Sequence, residues 1–309
     1  MSYTIETPKF SSRHAVSNFA KKIDEGHIKE ASEIGTSFIR TKVRQSSFVR
    51  ELLPPETLTN SDLDRDDQTD LPRKIVEIEP DSMATFVPFK GTAERNWFKG
   101  PRYSVYFGKV ETEKFTKSKF ELMTYENDIR SILNENSVKD MADEEDRRFA
   151  ETLEAIMTAY PTQDIDSVFH TGHLLPSVVQ AGVRDLTMRK LPMGKMLMTK
   201  SRYLDTITMD RTLVGDTVAS RHYDEGVESE TKLFGYPVIT TVKNDIISDD
   251  DVWFFAPQNY FGNMFLLQDA TLFVKSEADM IEFWSYEALG IGVGNTKAVT
   301  RIKLKAIGT

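Results

Sequence analysis

The 309-residue sequence contains no cysteine. That excludes a disulfide framework, a thiolate zinc site, an iron–sulfur cluster and a cysteine nucleophile, and it fits a reducing compartment. Long apolar runs are also missing. The longest uncharged stretch is the 17 residues between Asp251 and Asp269, interrupted by Pro257, Gly262, Asn263 and Gln268. A spanning helix needs about 20 apolar residues, so this run reads as core and no membrane partner is expected. Neither a basic-then-apolar leader nor a C-terminal lipidation motif is present, so a soluble chain is expected. Net positive charge is lacking too: 39 Lys+Arg against 48 Asp+Glu give −9. That argues against a general nucleic-acid coat, which needs clustered bases to neutralise phosphates.

Catalytic signatures are sparse. There is no Gly-x4-Gly-Lys-Ser/Thr loop and no Gly-x-Ser-x-Gly elbow, and Gly292-Val-Gly294-Asn-Thr-Lys297 has the wrong spacing for a phosphate cradle, so it reads as a turn between strands. His170 and His173 are three apart across a glycine, unlike the i, i+4 pair of a metalloprotease helix. Asp249, Asp250 and Asp251 read as a solvated turn, with chelation of a hard cation as the alternative. No catalytic residue, metal ligand or cofactor is assigned. A metal-dependent hydrolase using His170 and His173 is the remote enzymatic alternative.

The remaining composition, 39 % hydrophobic and 28 % charged, is that of a globular chain long enough for roughly two domains. Residues 1–37 are polar and read as an arm. Over 38–53, Arg40, Lys42, Arg44 and Arg50 interleave with Ile39, Val43, Phe48, Val49 and Leu52, which reads as a short basic amphipathic helix stopped by Pro54-Pro55. Its basic face is either solvated or grips another chain or nucleic acid. Residues 59–72, with five Asp and one Arg, read as an acidic linker.

Residues 75–88 and 103–107 are β-prone and flank a loop, so they read as a long hairpin. Its alternation is too weak for a buried sheet, and an isolated ribbon is marginal in water, so it must lie on something else. The loop 90–102 carries four bases and one acid, net +3, with Trp97 and Phe98 between Arg95 and Lys99. Aromatics beside Arg make interface anchors, although Trp97 folding back on its own subunit is the alternative. Residues 126–158 contain no Gly or Pro and read as helix, about 50 Å long unless Asn134, Asn136 and Ser137 break it in two. Its centre, 140–154, holds seven acids and two bases, net −5. Asp140, Asp143, Glu144 and Glu145 are therefore the expected partners of the basic loop on another copy. Further on, the sequence reads as helix over 174–189, strand over 195–199, helix over 201–209, buried strands after Phe234-Gly235 and after Asp249, and two β segments within 280–304.

This order of parts resembles the major capsid protein of tailed bacteriophages, the Hong Kong 97-type fold shared with encapsulins. Local patterns carry the resemblance: Glu145-Asp-Arg-Arg-Phe149 in the long helix, and Leu233-Phe-Gly235-Tyr-Pro237-Val238 before a strand. It implies an α+β fold with an N-terminal arm and linker (1–74), an extended β-hairpin loop (75–120), a peripheral domain with a spine helix (121–190), a mixed α/β axial domain (191–275) and C-terminal strands returning to the peripheral domain (276–309). It further implies copies of the chain forming hexamers and pentamers of an icosahedral head. Packaged double-stranded DNA, a portal protein and a separate scaffold or decoration protein are the implied partners. Residues 1–74 leave little room for a fused scaffold, so none is expected. The implied location is the virion capsid, with host cytoplasm during assembly, and the implied role is structural. An encapsulin-type compartment is the alternative. Some members crosslink a loop Lys to an Asn; Lys90, Lys99 and Asn295 match by type only, and that activity is not carried over.

Overall fold

The computed structural model describes residues 47–66, 68–77, 86–92, 102–118, 120–121, 129–159, 166–208 and 232–305, with Lys22 and Thr36. Helix α1 (Phe48–Leu52) starts at Ser47, whose hydroxyl accepts from the Arg50 amide, and ends before Pro54-Pro55. It buries Phe48, Val49 and Leu52. The basic helix expected over 38–53 is thus described only in its last turn, and Arg40, Lys42 and Arg44 lie outside the described residues.

Helix α2 (Ile129–Ala159) runs unbroken for 31 residues, about 46 Å at 1.5 Å per residue, so no break occurs at 134–137. From residue 137 onward, Ser137, Val138, Met141, Ala142, Glu145, Asp146, Phe149, Leu153, Ile156 and Met157 are its buried positions. Steps of three and four place them on one stripe. Two acids lie in that stripe, which matters below.

The stripe faces α1, β5 (Gly108–Glu111) and β13 (Met280–Val293). β13 pairs antiparallel with β12 (Gly262–Glu277) from Gly262↔Val293 to Glu277↔Met280. β1 (Glu56–Thr57) adds to β12, while β5 and β6 (Phe115–Ser118) both add to β13, completing a five-stranded sheet. The second sheet has six strands in the order β7 (Asp166–Phe169), β14 (Val299–Leu304), β11 (Asp251–Phe255), β8 (Lys195–Thr199), β10 (Tyr236–Thr241), β9 (Lys232–Leu233). Helix α3 (Pro176–Met188) packs Val178, Val179 and Leu186 into one core with Met196, Phe254 and Ile302 of this sheet. Helix α4 (Lys200–Thr208) follows β8. The Leu-Phe-Gly-Tyr segment is the tight β9–β10 turn, with Phe234 at φ 53° and Gly235 at φ 86°, a backbone region that favours glycine.

Two expectations are corrected here. β13 packs on α2, but β14 does not return with it. It lies between β7 and β11 in the six-stranded sheet, and position 275/276 falls inside β12. The second concerns the ribbon. β3 (Pro72–Glu77) and β4 (Arg102–Tyr106) pair antiparallel from Arg73↔Tyr106 to Glu77↔Arg102, with β2 (Asp64–Arg65) on β3, so part of the acidic linker is strand. The root of this ribbon rests on its own subunit. Val105 and Val110 are buried, and β5 and β6 are laddered to β13. Gly290 and Gly292 on β13, with Gly294 just past its end, seat it: a Cβ on Gly292 would stand 2.3 Å from Val105 Cγ2, and one on Gly294 2.6 Å from Tyr103 Cε1. That glycine run is a packing surface, not merely a turn. The other side of the root is open, with Tyr106 57 % exposed, and Phe86 and Phe89 farther along the chain are fully exposed.

Candidate assembly interface

The two acids in the α2 stripe hold α1 in place. Arg50 Nε donates to both carboxylate oxygens of Glu145 at 3.0 and 2.9 Å. Its Nη2 donates to Glu145 Oε1 and, at 2.6 Å, to Glu287 Oε2 on β13, while Nη1 lies 3.5 Å from Asp269 Oδ1 on β12. The Arg50, Glu145 and Glu287 side chains are all but fully buried. Burial opposes the Arg50 charge, but Glu145 and Glu287 outweigh it and hold its pKa above the ordinary value. Burial, then repulsion from Glu145, pushes Glu287 well above the carboxylate range. Among the described residues the buried Glu287 Oε1 atom has no hydrogen-bond partner.

One residue on, Asp146 accepts from Ser47 Oγ at 2.9 Å and from the Val49 amide at 3.1 Å, so its carboxylate sits at the start of α1. Lys243 reaches the same carboxylate and also Asp143 at 2.9 Å. Burial raises the Asp146 pKa, partly offset by Lys243. Burial works against the charge on Lys243, yet Asp146 and Asp143 together hold it above its ordinary value.

The acidic centre of the long helix is therefore largely neutralised within the subunit. Arg50 takes Glu145, Lys243 takes Asp143 and Asp146, Arg148 takes Glu144 at 2.9 Å, and Arg301 takes Glu154 at 2.5 Å. Asp140 is exposed, makes no ion pair with a described residue, and has its pKa raised by partial burial and by Asp143. Of the acids expected to face a neighbour, Glu145 is removed from the surface altogether, and Arg50, expected on a gripping basic face, is buried against it. Both sit where the inward phase of their helix puts them. Asp143 and Glu144 remain half-exposed. Arg95, Trp97, Phe98 and Lys99 lie outside the described residues.

The acidic turn before β11 is braced, not merely solvated. Thr199 Oγ1 donates to Asp249, and Arg202 donates to the Asp249 carbonyl at 2.8 Å and to Asp250 at 3.2 Å. Asp251 just beyond is buried, which pushes its pKa up to about 6 although Arg301 and Lys303 pull it down. His170 and His173 lie on exposed turns, His173 Nδ1 standing 3.7 Å from Asp205 Oδ1. Among the described residues no group of three or more His, Asp or Glu side chains is placed to hold a metal ion.

Glu287 was absent from the sequence reading, yet a signal existed. Along β13, Ile281, Phe283, Ser285, Glu287 and Leu289 are the buried alternate positions, so a glutamate occupies the inward phase of a strand.

No family model matches the sequence, and no curated protein matches it. Solved structures do. A chain from Mycobacterium phage Bobi aligns at TM-score 0.60 with 10 % identity, over 84 % of this chain and 91 % of that one. The mature capsid of bacteriophage PhiM1 aligns at 0.56 with 7 % identity, over 84 % and 87 %. The virus-like particle from Pyrococcus furiosus aligns at 0.52 with 14 % identity, over 89 % and 100 %. These likenesses extend over most of the chain and show its fold, the capsid-protein fold of the Hong Kong 97 type.

Proposed function

We propose that the chain is a major capsid protein that self-assembles into hexamers and pentamers of an icosahedral phage head enclosing double-stranded DNA. Its role is structural, not enzymatic, and its place is the virion, reached from the host cytoplasm. The observation that carries this reading is the fold-level likeness to capsid and virus-like-particle subunits over most of the chain. Two local features support it: a ribbon whose root is packed at home but whose Phe86 and Phe89 are left bare, and a loop of net charge +3 beyond it. In this reading the five-stranded sheet with α2 forms the peripheral domain, and the six-stranded sheet with α3 and α4 the axial one. The ribbon of one copy crosses the exposed side of a neighbour, where Arg95, Trp97, Phe98 and Lys99 meet the half-exposed acids, and the N-terminal arm with Arg40, Lys42 and Arg44 reaches a further copy. Each contact is small, and repetition around a closed shell supplies the stability. Portal protein, and where used a scaffold or decoration protein, complete the partners. A net charge of −9 suits a wall that must not hold phosphate tightly.

The likeness to the Pyrococcus furiosus particle, which spans all of that chain, favours an encapsulin-type compartment as the second reading. Particles purified from the producing cells separate the two. Nuclease-protected double-stranded DNA inside the shell supports the head; a single protein cargo in its place supports the compartment and refutes the head.

A further inference from the structure

Between the C-terminal half of α2 and the turn before β11 lies a cavity of about 330 Å³, whose polar lining includes Glu154, Asp245, Asp249, Asp251 and the Trp253 indole. No Lys or Arg lines it. Three of its four carboxylates face a cation from elsewhere in the subunit: Arg301 on Glu154, Arg202 on Asp249, and Arg147 at 3.9 Å from Asp245. Asp251 differs. It is only 7 % exposed, and its carboxylate takes no hydrogen bond or ion pair from a described residue, since Arg301 spends its donors on Glu154 and Asp166. A second orphan lines the same cavity: Trp253, 2 % exposed, has an Nε1–H with no acceptor among the described residues.

The two orphans want opposite things. A buried carboxylate wants a cationic donor, and an indole N–H wants an acceptor such as a carbonyl oxygen. A bare cation serves only the first, and an anion is repelled by the carboxylates. A polypeptide segment that brings a Lys or Arg side chain together with its own carbonyl serves both.

We propose that this cavity is the receptor for a basic side chain from residues 90–102 of a second copy of the chain. The inference rests on the assembly reading and deepens it by naming where the loop lands. Charge complementarity is the first support: the loop is net +3 and the cavity lining is acidic without a base. Reach is the second. The β3–β4 pairing ends at Glu77↔Arg102, so 24 residues lie beyond it. Out and back, such a length extends up to about 40 Å from the ribbon root. That is nearly the length of α2. Pairing with Asp251 would fix orientation, since charge at an interface sets how partners dock.

The absence of cysteine makes the test clean. Ser248→Cys, at the exposed edge of the cavity, is combined in turn with Lys90→Cys, Arg95→Cys, Lys99→Cys and Arg102→Cys, and particles are oxidised and run on a non-reducing gel. A ladder of linked subunits from at least one pair is expected. Normal particles with no ladder from any pair, or with only disulfides inside single chains, overturn the docking and leave the assembly reading standing. Cysteine-free wild-type protein that never forms particles overturns the assembly reading instead. A second variant separates docking from folding. Asp251→Asn removes an unpaired buried charge, so the subunit is expected to melt at an equal or higher temperature while particle yield falls at least tenfold. Undiminished yield, or a loss of yield that merely follows a lower melting temperature, overturns the proposal.

Discussion

Replacing Arg50 by Met tests whether the chain is held together as described. Among the described residues the guanidinium is the only cation that contacts Glu145 and Glu287, and both acids are fully buried. Glu145 would be left as a desolvated charge next to a second carboxyl. Breaking a buried pair from one side costs about 3–5 kcal/mol, against a total stability of ~5–15 kcal/mol. For a chain of this size each kcal/mol moves the melting temperature by about 2–4 °C, so a fall of roughly 10 °C is expected. The partner substitution is asymmetric. Glu145→Gln keeps the shape, and removing the Glu145 charge lets Glu287 ionise and take over Arg50, so the loss is about 1–2 kcal/mol. Arg50→Met with Glu145→Leu removes both charges and recovers most of the loss. Urea denaturation of the soluble subunit, followed by tryptophan fluorescence, reads all three variants. A single Arg50→Met variant within about 1 kcal/mol of wild type would refute the buried-pair argument, because that is the value of a solvent-exposed pair.

Other predictions concern pH, packing and assembly. Folded Glu287 keeps a proton that the unfolded chain releases above its ordinary pKa of 4.5, so from about pH 5 upward this group costs stability as pH rises, by at most about 1.4 kcal/mol per pH unit. Denaturation at pH 5.5 and 7.5 should therefore show a shallower decline, or a steeper gain, for Glu287→Gln than for wild type; equal pH dependence contradicts the assignment. Gly292→Val drives a Cβ into Val105 and should cost about 1–3 kcal/mol, with hydrogen exchange accelerated over 102–111; unchanged protection there sinks the glycine seat. Arg95→Glu with Lys99→Glu should leave subunit melting unchanged and abolish particles, and particles in normal yield from that double variant argue against the loop as an interface.

Much of the secondary structure was legible because local rules agree. The absence of Gly and Pro over 129–159 permits the long helix, and the strands at 195–199, 236–241 and 251–255 follow turn residues and read as apolar β-prone runs. β12 was not legible, since register shifts between Leu266 and Thr271, around Gln268 and Asp269, break its alternation. The charge cluster escaped for a different reason. Arg50 and Glu145 are 95 residues apart, and Arg50 and Glu287 are 237 apart, so only the folded backbone brings them together. A run of seven acids and two bases looked like a free acidic face, yet most of those acids are matched by cations from distant elements. What the helix pattern did contain was the warning that positions 145 and 146 share the phase of Met141, Ala142 and Phe149.

Negative-stain electron microscopy of the expressed protein bears most directly on whether this chain builds a shell from copies of itself. The account predicts closed, roughly spherical particles of uniform size, with hexagonal and pentagonal clusters visible in averaged images. A field of single subunits at every concentration, with sedimentation velocity giving one species of about 35 kDa, would contradict it.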